Sequence, residues 1–110
     1  MGAFVKGDVL IVLFPFTDLS SAKRRPAVVV QNLPGEDMIL CMITGQATQD
    51  QDAIPLDGSE FADGTLHKPS HIRPDRLFTG ENAIVGYRAG SLLPAKMDTV
   101  TDAVVRILRR

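Results

Sequence analysis

Two arginines in this chain stand directly before a proline: Arg25-Pro26, closing the basic run Lys23-Arg24-Arg25, and Arg73-Pro74, inside Ser70-His71-Ile72-Arg73-Pro74-Asp75. Proline steers the preceding residue out of helical geometry, so each guanidinium rises from extended backbone. Two cationic forks held this way in a small protein point to an anion site, and phosphate is the anion they suit best. A third candidate is Thr44, whose hydroxyl ends an apolar run just before Gly45-Gln46; it can donate to a phosphate oxygen, and the glycine lets a bulky ligand approach the backbone. Asp75 is the candidate proton acceptor. An ordinary aspartate is a weak base near neutral pH, so that role requires a raised pKa or a partner such as His71.

Each of these residues also has a plainer reading. Lys23-Arg24-Arg25 can be a solvated charge run, Thr44 a β-branched strand end before a turn glycine, and Asp75 a cap on the short segment Arg76-Leu77-Phe78. Composition narrows the remaining classes. At 110 residues, 45% apolar and 23% charged, the expectation is one domain over 1–110 with an ordinary core. No apolar stretch nears the ~20 residues that span a bilayer, and no signal pattern opens the chain, so a cytoplasmic protein without a membrane partner is expected. Cys41, the sole cysteine, lies among Ile39, Leu40, Met42 and Ile43 and reads as a buried inert thiol. His67 and His71 lack the companions of a metal site, and no metal or cofactor is expected. The net charge of −1 gives no general pull on nucleic acid, but five acids fall between Asp50 and Asp63 while Lys23–Arg25 and His67–Arg76 are base-rich. If the two basic stretches meet, a positive patch survives the neutral total.

The elements that must position these residues are mostly strands. Val9–Phe14 is an apolar run of strand length, Ala27–Gln31 follows Pro26, and Met38–Ile43 follows the turn chemistry of Asn32–Asp37, which predicts a hairpin. Runs without strict alternation predict strands covered on both faces, as in a small barrel. Ala53–Leu56 is a weaker strand whose Pro55 points to an edge or a bulge, Asp57–Lys68 is expected to be loop, and Ile84–Arg88 a late strand whose Gly86 marks a bulge or a close backbone approach. From Pro94, Met97, Val100, Val104, Ile107 and Leu108 recur at helical spacing, with Asp98 expected in the first turn and Arg106, Arg109 and Arg110 in the last.

In this order the motifs resemble the PemK, MazF and Kid-like toxins of bacterial type II toxin-antitoxin systems. The resemblance runs through Lys6-Gly7-Asp8-Val9, Phe14-Pro15-Phe16-Thr17-Asp18, Lys23 to Asn32, Met42-Ile43-Thr44, Ser70 to Arg76 and Ile84-Val85-Gly86, and its most specific stretch is Lys23 to Asn32. It implies a mainly β, SH3-like small barrel with a C-terminal helix, a homodimer, and metal-independent cleavage of single-stranded RNA by attack of a 2′-hydroxyl on its own phosphate. Carried over by motif, Arg25, Thr44, Arg73 and Asp75 become catalytic, Arg73 as proton donor and Asp75 as base. Lys23, Arg24, Gln46, His71 and Arg76 become RNA contacts. An acidic or disordered antitoxin segment becomes the protein partner. The loop Thr17–Ala22 lacks the Gly-Ser-Glu-Gln element of many relatives, and Pro74 separates the two Kid-like residues. The alternatives are a gyrase-binding toxin of the CcdB type, which uses its C-terminal helix, and a degenerate member that only binds nucleic acid or antitoxin.

Overall fold

The structure, a computed structural model, describes residues 4–14, 23–45 and 49–110. Seven strands form one sheet: β1 Asp8–Phe14, β2 Lys23–Asn32, β3 Asp37–Thr44, β4 Ile54–Leu56, β5 Phe61–Gly64, β6 Ser70–Glu81 and β7 Val85–Leu92. The helix α1, Pro94–Arg109, follows. Strand order is β4-β6-β3-β2-β1-β7-β5, and every neighbouring pair is antiparallel. The expected small barrel with one C-terminal helix forms as a curled half-barrel, with β4 and β5 as its two edges.

The central strands are buried on both faces, as their continuous apolar runs require. Val9, Val28, Cys41 and Ile43 face Ile72, Leu56 and the helix residues Met97 and Val100. Leu10, Val12, Ala27, Val29 and Leu40 form a second core under Phe4, Phe78, Ile84 and Val85. Each fully buried aliphatic side chain contributes on the order of 2 kcal/mol. The hairpin β2–β3, the edge position of β4 and the bulge at Gly86, which falls between the pairs Ile11–Tyr87 and Val12–Val85, all match the sequence reading.

Four local expectations change. β2 starts at Lys23, ahead of Pro26; it ladders with β1 there but meets β3 only from Ala27, so one side of Pro26 needs no donor. The stretch expected as loop contains a 3₁₀ turn, Gly58–Glu60, and β5. Ser70–Glu81 is one long strand rather than a turn with a short segment after it. In α1, Pro94 takes the first position, leaving Asp98 beyond a first turn that holds no acid, and Leu108 stands 73% exposed.

One arginine, ion-paired to two carboxylates, joins three strands. Gly7 carries φ +97, a conformation suited to glycine, and its N–H and C=O bond Val29 and Leu92. The next residue, Asp8, is buried: Arg88 Nε donates to its Oδ1 at 3.1 Å and the Val5 N–H to its Oδ2 at 3.0 Å. Arg88 Nη2 donates in turn to Asp63 Oδ2 at 2.9 Å, holding that carboxyl below its ordinary pKa, so β1, β7 and β5 share one guanidinium. Replacing Asp8 by Asn is expected to lower unfolding free energy by about 2 kcal/mol, because Arg88 loses its buried partner. Urea unfolding measures this as a lower midpoint with an unchanged slope. A shift no larger than that of the exposed substitution Glu36→Gln would contradict it.

Candidate active site

Because both faces of β1–β3 are occupied, the open space lies at the strand ends. A cleft of about 500 Å³ is lined from five strands or the segments flanking them. The start of β2 supplies Lys23, Arg24, Arg25 and Pro26, and the end of β3 supplies Thr44 and Gly45. From the segment before β6 come His67 and Lys68, and from β7 comes Tyr87, which faces Ile11 across the ladder. Ile11, Ile43 and Leu66 add apolar lining. The two basic stretches therefore meet, at the His67 end of the second one.

The charge of this cleft, among the described residues, is one-sided. Lys23, Arg24, Arg25 and Lys68 line it, and no described carboxylate does. Among the described residues none of these four cations is ion-paired, whereas Arg73, Arg88, Lys96 and Arg110 all are. Arg25 pairs across β1 with Val12, continuing the row that begins at Leu10 and Ala27, so a buried scaffold carries it. Thr44 pairs with His71 on β6, which puts the imidazole-bearing residue beside the hydroxyl-bearing one. His71, Arg73, Asp75 and Arg76 do not line the cleft, and Gln46 lies outside the described residues, as does 15–22.

Arg73 and Asp75 sit on a large bulge. Cys41 pairs with Leu77 and Ile43 with Ile72, so Arg73, Pro74, Asp75 and Arg76 oppose Met42 alone. A bulge strands backbone groups from the ladder. Here Pro74 removes one donor, and the Cys41 thiol donates to the Arg73 carbonyl at 2.9 Å. Burial, with the charge of Asp75 added, pushes that thiol up to about 12, so Cys41 is the inert group expected.

The bulge carries a carboxylate pair around an arginine. Arg73 Nε and Nη2 donate to Asp50 Oδ2 at 3.3 and 3.2 Å, and Nη2 lies 3.8 Å from Asp75 Oδ2. Asp50 is held below its ordinary value, first by the Asp52 N–H donating to it at 2.9 Å. Asp75 is raised, first by burial, then by a hydrogen bond with Asp50 and its charge, so of the two carboxyls Asp75 is the later to lose its proton. Asp50 was not a candidate in the sequence, since nothing local marks a residue 23 positions from its partner.

The family model described as the PemK-like, MazF-like toxin of type II toxin-antitoxin systems matches residues 5–108. The chain belongs to that family. No curated protein matches it. Among solved structures, the Mycobacterium tuberculosis toxin MazF-mt6 superposes with a TM-score of 0.72 at 17% identity, covering 93% of this chain and 96% of that one. A mycobacterial endoribonuclease in complex with its cognate antitoxin gives 0.75 at 17%, covering 97% and 96%. A further mycobacterial endoribonuclease gives 0.72 at 19%, covering 99% and 94%. At these identities the likeness is one of fold.

Within this PemK-like chain, sequence reasoning missed Lys68, His67 and Tyr87 as cleft residues. Lys68 stands out only as part of a basic stretch, His67 only there and as a rejected metal ligand, and Tyr87 becomes a neighbour of Arg25 only through the strand order. Among the described residues, no three His, Cys, Asp or Glu side chains gather as a metal site, and no helix is long and apolar enough to cross a membrane.

The Asp50–Asp75 pair has a pH signature. Because the folded state raises Asp75 above its unfolded value, folding takes up a proton there, and the associated stability fades as pH rises through the raised value. Asp75→Asn fixes the neutral form. Its melting temperature is expected to exceed that of the unsubstituted chain at pH 7 and to converge with it near pH 4, as thermal scans across that range can test. A difference independent of pH would contradict the assignment.

Proposed function

We propose that this toxin is an endoribonuclease that cleaves single-stranded RNA without a metal ion. The observation that carries the reading is the cleft lined by four cations, none ion-paired among the described residues, beside the Thr44 hydroxyl at the end of β3. The chemistry proposed is transesterification. The 2′-hydroxyl loses its proton and attacks the adjacent phosphorus, the bond to the 5′-oxygen breaks, and that oxygen takes up a proton, leaving a 2′,3′-cyclic phosphate and a 5′-hydroxyl end.

Each residue then has a role. Arg25 binds the scissile phosphate and offsets the charge that grows on its oxygens, the electrostatic contribution that dominates phosphoryl transfer. Thr44 donates to a second oxygen. Lys23 and Arg24 hold neighbouring phosphates, with Gln46, His71 and Arg76 as further contacts. Arg73 and Asp75 are the proposed proton donor and base. The raised pKa of Asp75 supports that assignment, because a carboxylate that holds a proton more strongly than usual is the better acceptor. The register also supports it: Thr44 pairs with His71, two residues before Arg73, so RNA following the β3–β6 seam runs from the cleft toward the bulge. Asp50 keeps Arg73 in place.

The same cleft is proposed to receive an acidic segment of a cognate antitoxin, as charge complementarity favours, with the protein acting as a cytoplasmic homodimer. The gyrase-binding alternative is not favoured: the matching family is the MazF-like one, and Arg110, after α1, is tied by its guanidinium to Asp52.

Purified protein incubated with mixed single-stranded RNA in EDTA is expected to release fragments with 5′-hydroxyl ends. Arg25→Ala is expected to lower kcat/KM by about 10²–10³-fold, and Asp75→Asn to abolish the acid limb of the pH–rate profile. Absence of fragments, or cleavage unaffected by Arg25→Ala, overturns the reading.

A further inference from the structure

Beyond the scissile phosphate, the strand order arranges the cleft as a row. Reading along the sheet, Lys68 precedes β6, Thr44 and Gly45 end β3, Arg24 and Arg25 lie on β2, Ile11 on β1 and Tyr87 on β7. Four strand spacings separate the first from the last, about 19 Å along the curled sheet. That is wider than one nucleotide needs, and the two ends differ in chemistry.

At the β7 end, Tyr87 lines the cleft opposite Ile11 and is 54% exposed, the one Phe, Tyr or Trp among its described lining residues. An exposed aromatic ring beside a cationic groove is the usual platform for an unpaired nucleobase. At the β6 end, the stem of Lys68 lies across Gly45, the residue after Thr44. A Cβ on residue 45 would meet Lys68 Cε at 2.7 Å and Nζ at 3.2 Å, so the glycine leaves room for the lysine to lie against the end of β3. Among the described residues no carboxylate pairs with Lys68.

We propose that Tyr87 and Lys68 are two flanking subsites of the RNA cleft, Tyr87 stacking a nucleobase on one side of the Arg25–Thr44 centre and Lys68 binding a phosphate on the other. The proposal rests on reading the cleft as an RNA site. It makes the protein a reader of at least two positions around the cut, one through a π-face and one through charge alone. Stacking is tolerant of base identity, so the Tyr87 subsite contributes affinity and position more than discrimination between bases.

The test is equilibrium binding of a non-cleavable 2′-O-methyl RNA pool, about eight nucleotides long, to the folded protein by fluorescence anisotropy across a salt series. Tyr87→Ala is expected to weaken binding by about ten-fold while Tyr87→Phe, which keeps the ring, binds as the unsubstituted chain does. Lys68→Gln is expected to reduce the slope of log K against log salt by about 0.7, the value for one single-strand phosphate. Arg106→Gln, on the last turn of α1, controls for a general change of charge and leaves the slope unchanged. Circular dichroism confirms that each variant folds. If the unsubstituted chain fails to bind the pool, the RNA reading falls and takes this proposal with it. If it binds but Tyr87→Ala matches Tyr87→Phe, or Lys68→Gln keeps the full slope, the flanking subsites are wrong and the RNA reading stands.

Discussion

The constraint on which the rest depends is the burial of β1, β2 and β3 on both faces. Val9, Val28 and Cys41 point one way and Leu10, Val29 and Leu40 the other, and each side is covered. A sheet built like this offers no open face to a ligand. Chemistry is displaced to the strand ends, where side chains leave a rigid frame and still meet solvent. That is why Arg25 and Thr44, distant in sequence, line one cleft.

Charge is sorted by the same frame. Arg73, Arg88, Lys96 and Arg110 each close on a carboxylate, whereas Lys23, Arg24, Arg25 and Lys68 line a cleft with no acid among its described residues. The near-zero net charge hides this division. Among the described residues, carboxylates such as Asp8, Asp50 and Asp52 are engaged with Arg88, Arg73 and Arg110 rather than with the cations of the cleft.

What the sequence disclosed follows from how local its signals are. β1, the β2–β3 hairpin and α1 were legible because apolar runs, turn residues and a helical period lie in contiguous stretches. β6 was not, because the proline and charged residues of Arg73–Arg76 interrupt its pattern where the ladder itself is interrupted. β5 has four residues and no apolar period; it exists because Gly64 and Gly90 let two backbones meet closely and Arg88 reaches Asp63. The candidate site divides likewise. Arg25-Pro26 and Thr44 stand out as motifs, whereas Asp50, Lys68 and Tyr87 gain meaning only once strand order makes them neighbours.

The bulge in β6 also bears on how such a chain can change over time. On either side of it the ladder to β3 is pinned independently, by Ile43–Ile72 and Thr44–His71 before it and by the pairs from Cys41–Leu77 to Asp37–Glu81 after it. A residue gained or lost within an ordinary strand would turn every later side chain to the opposite face. Between two fixed ladders the change is absorbed locally, so this segment is where a lineage can vary the length and chemistry of the chain beside its cleft while the core stays in register.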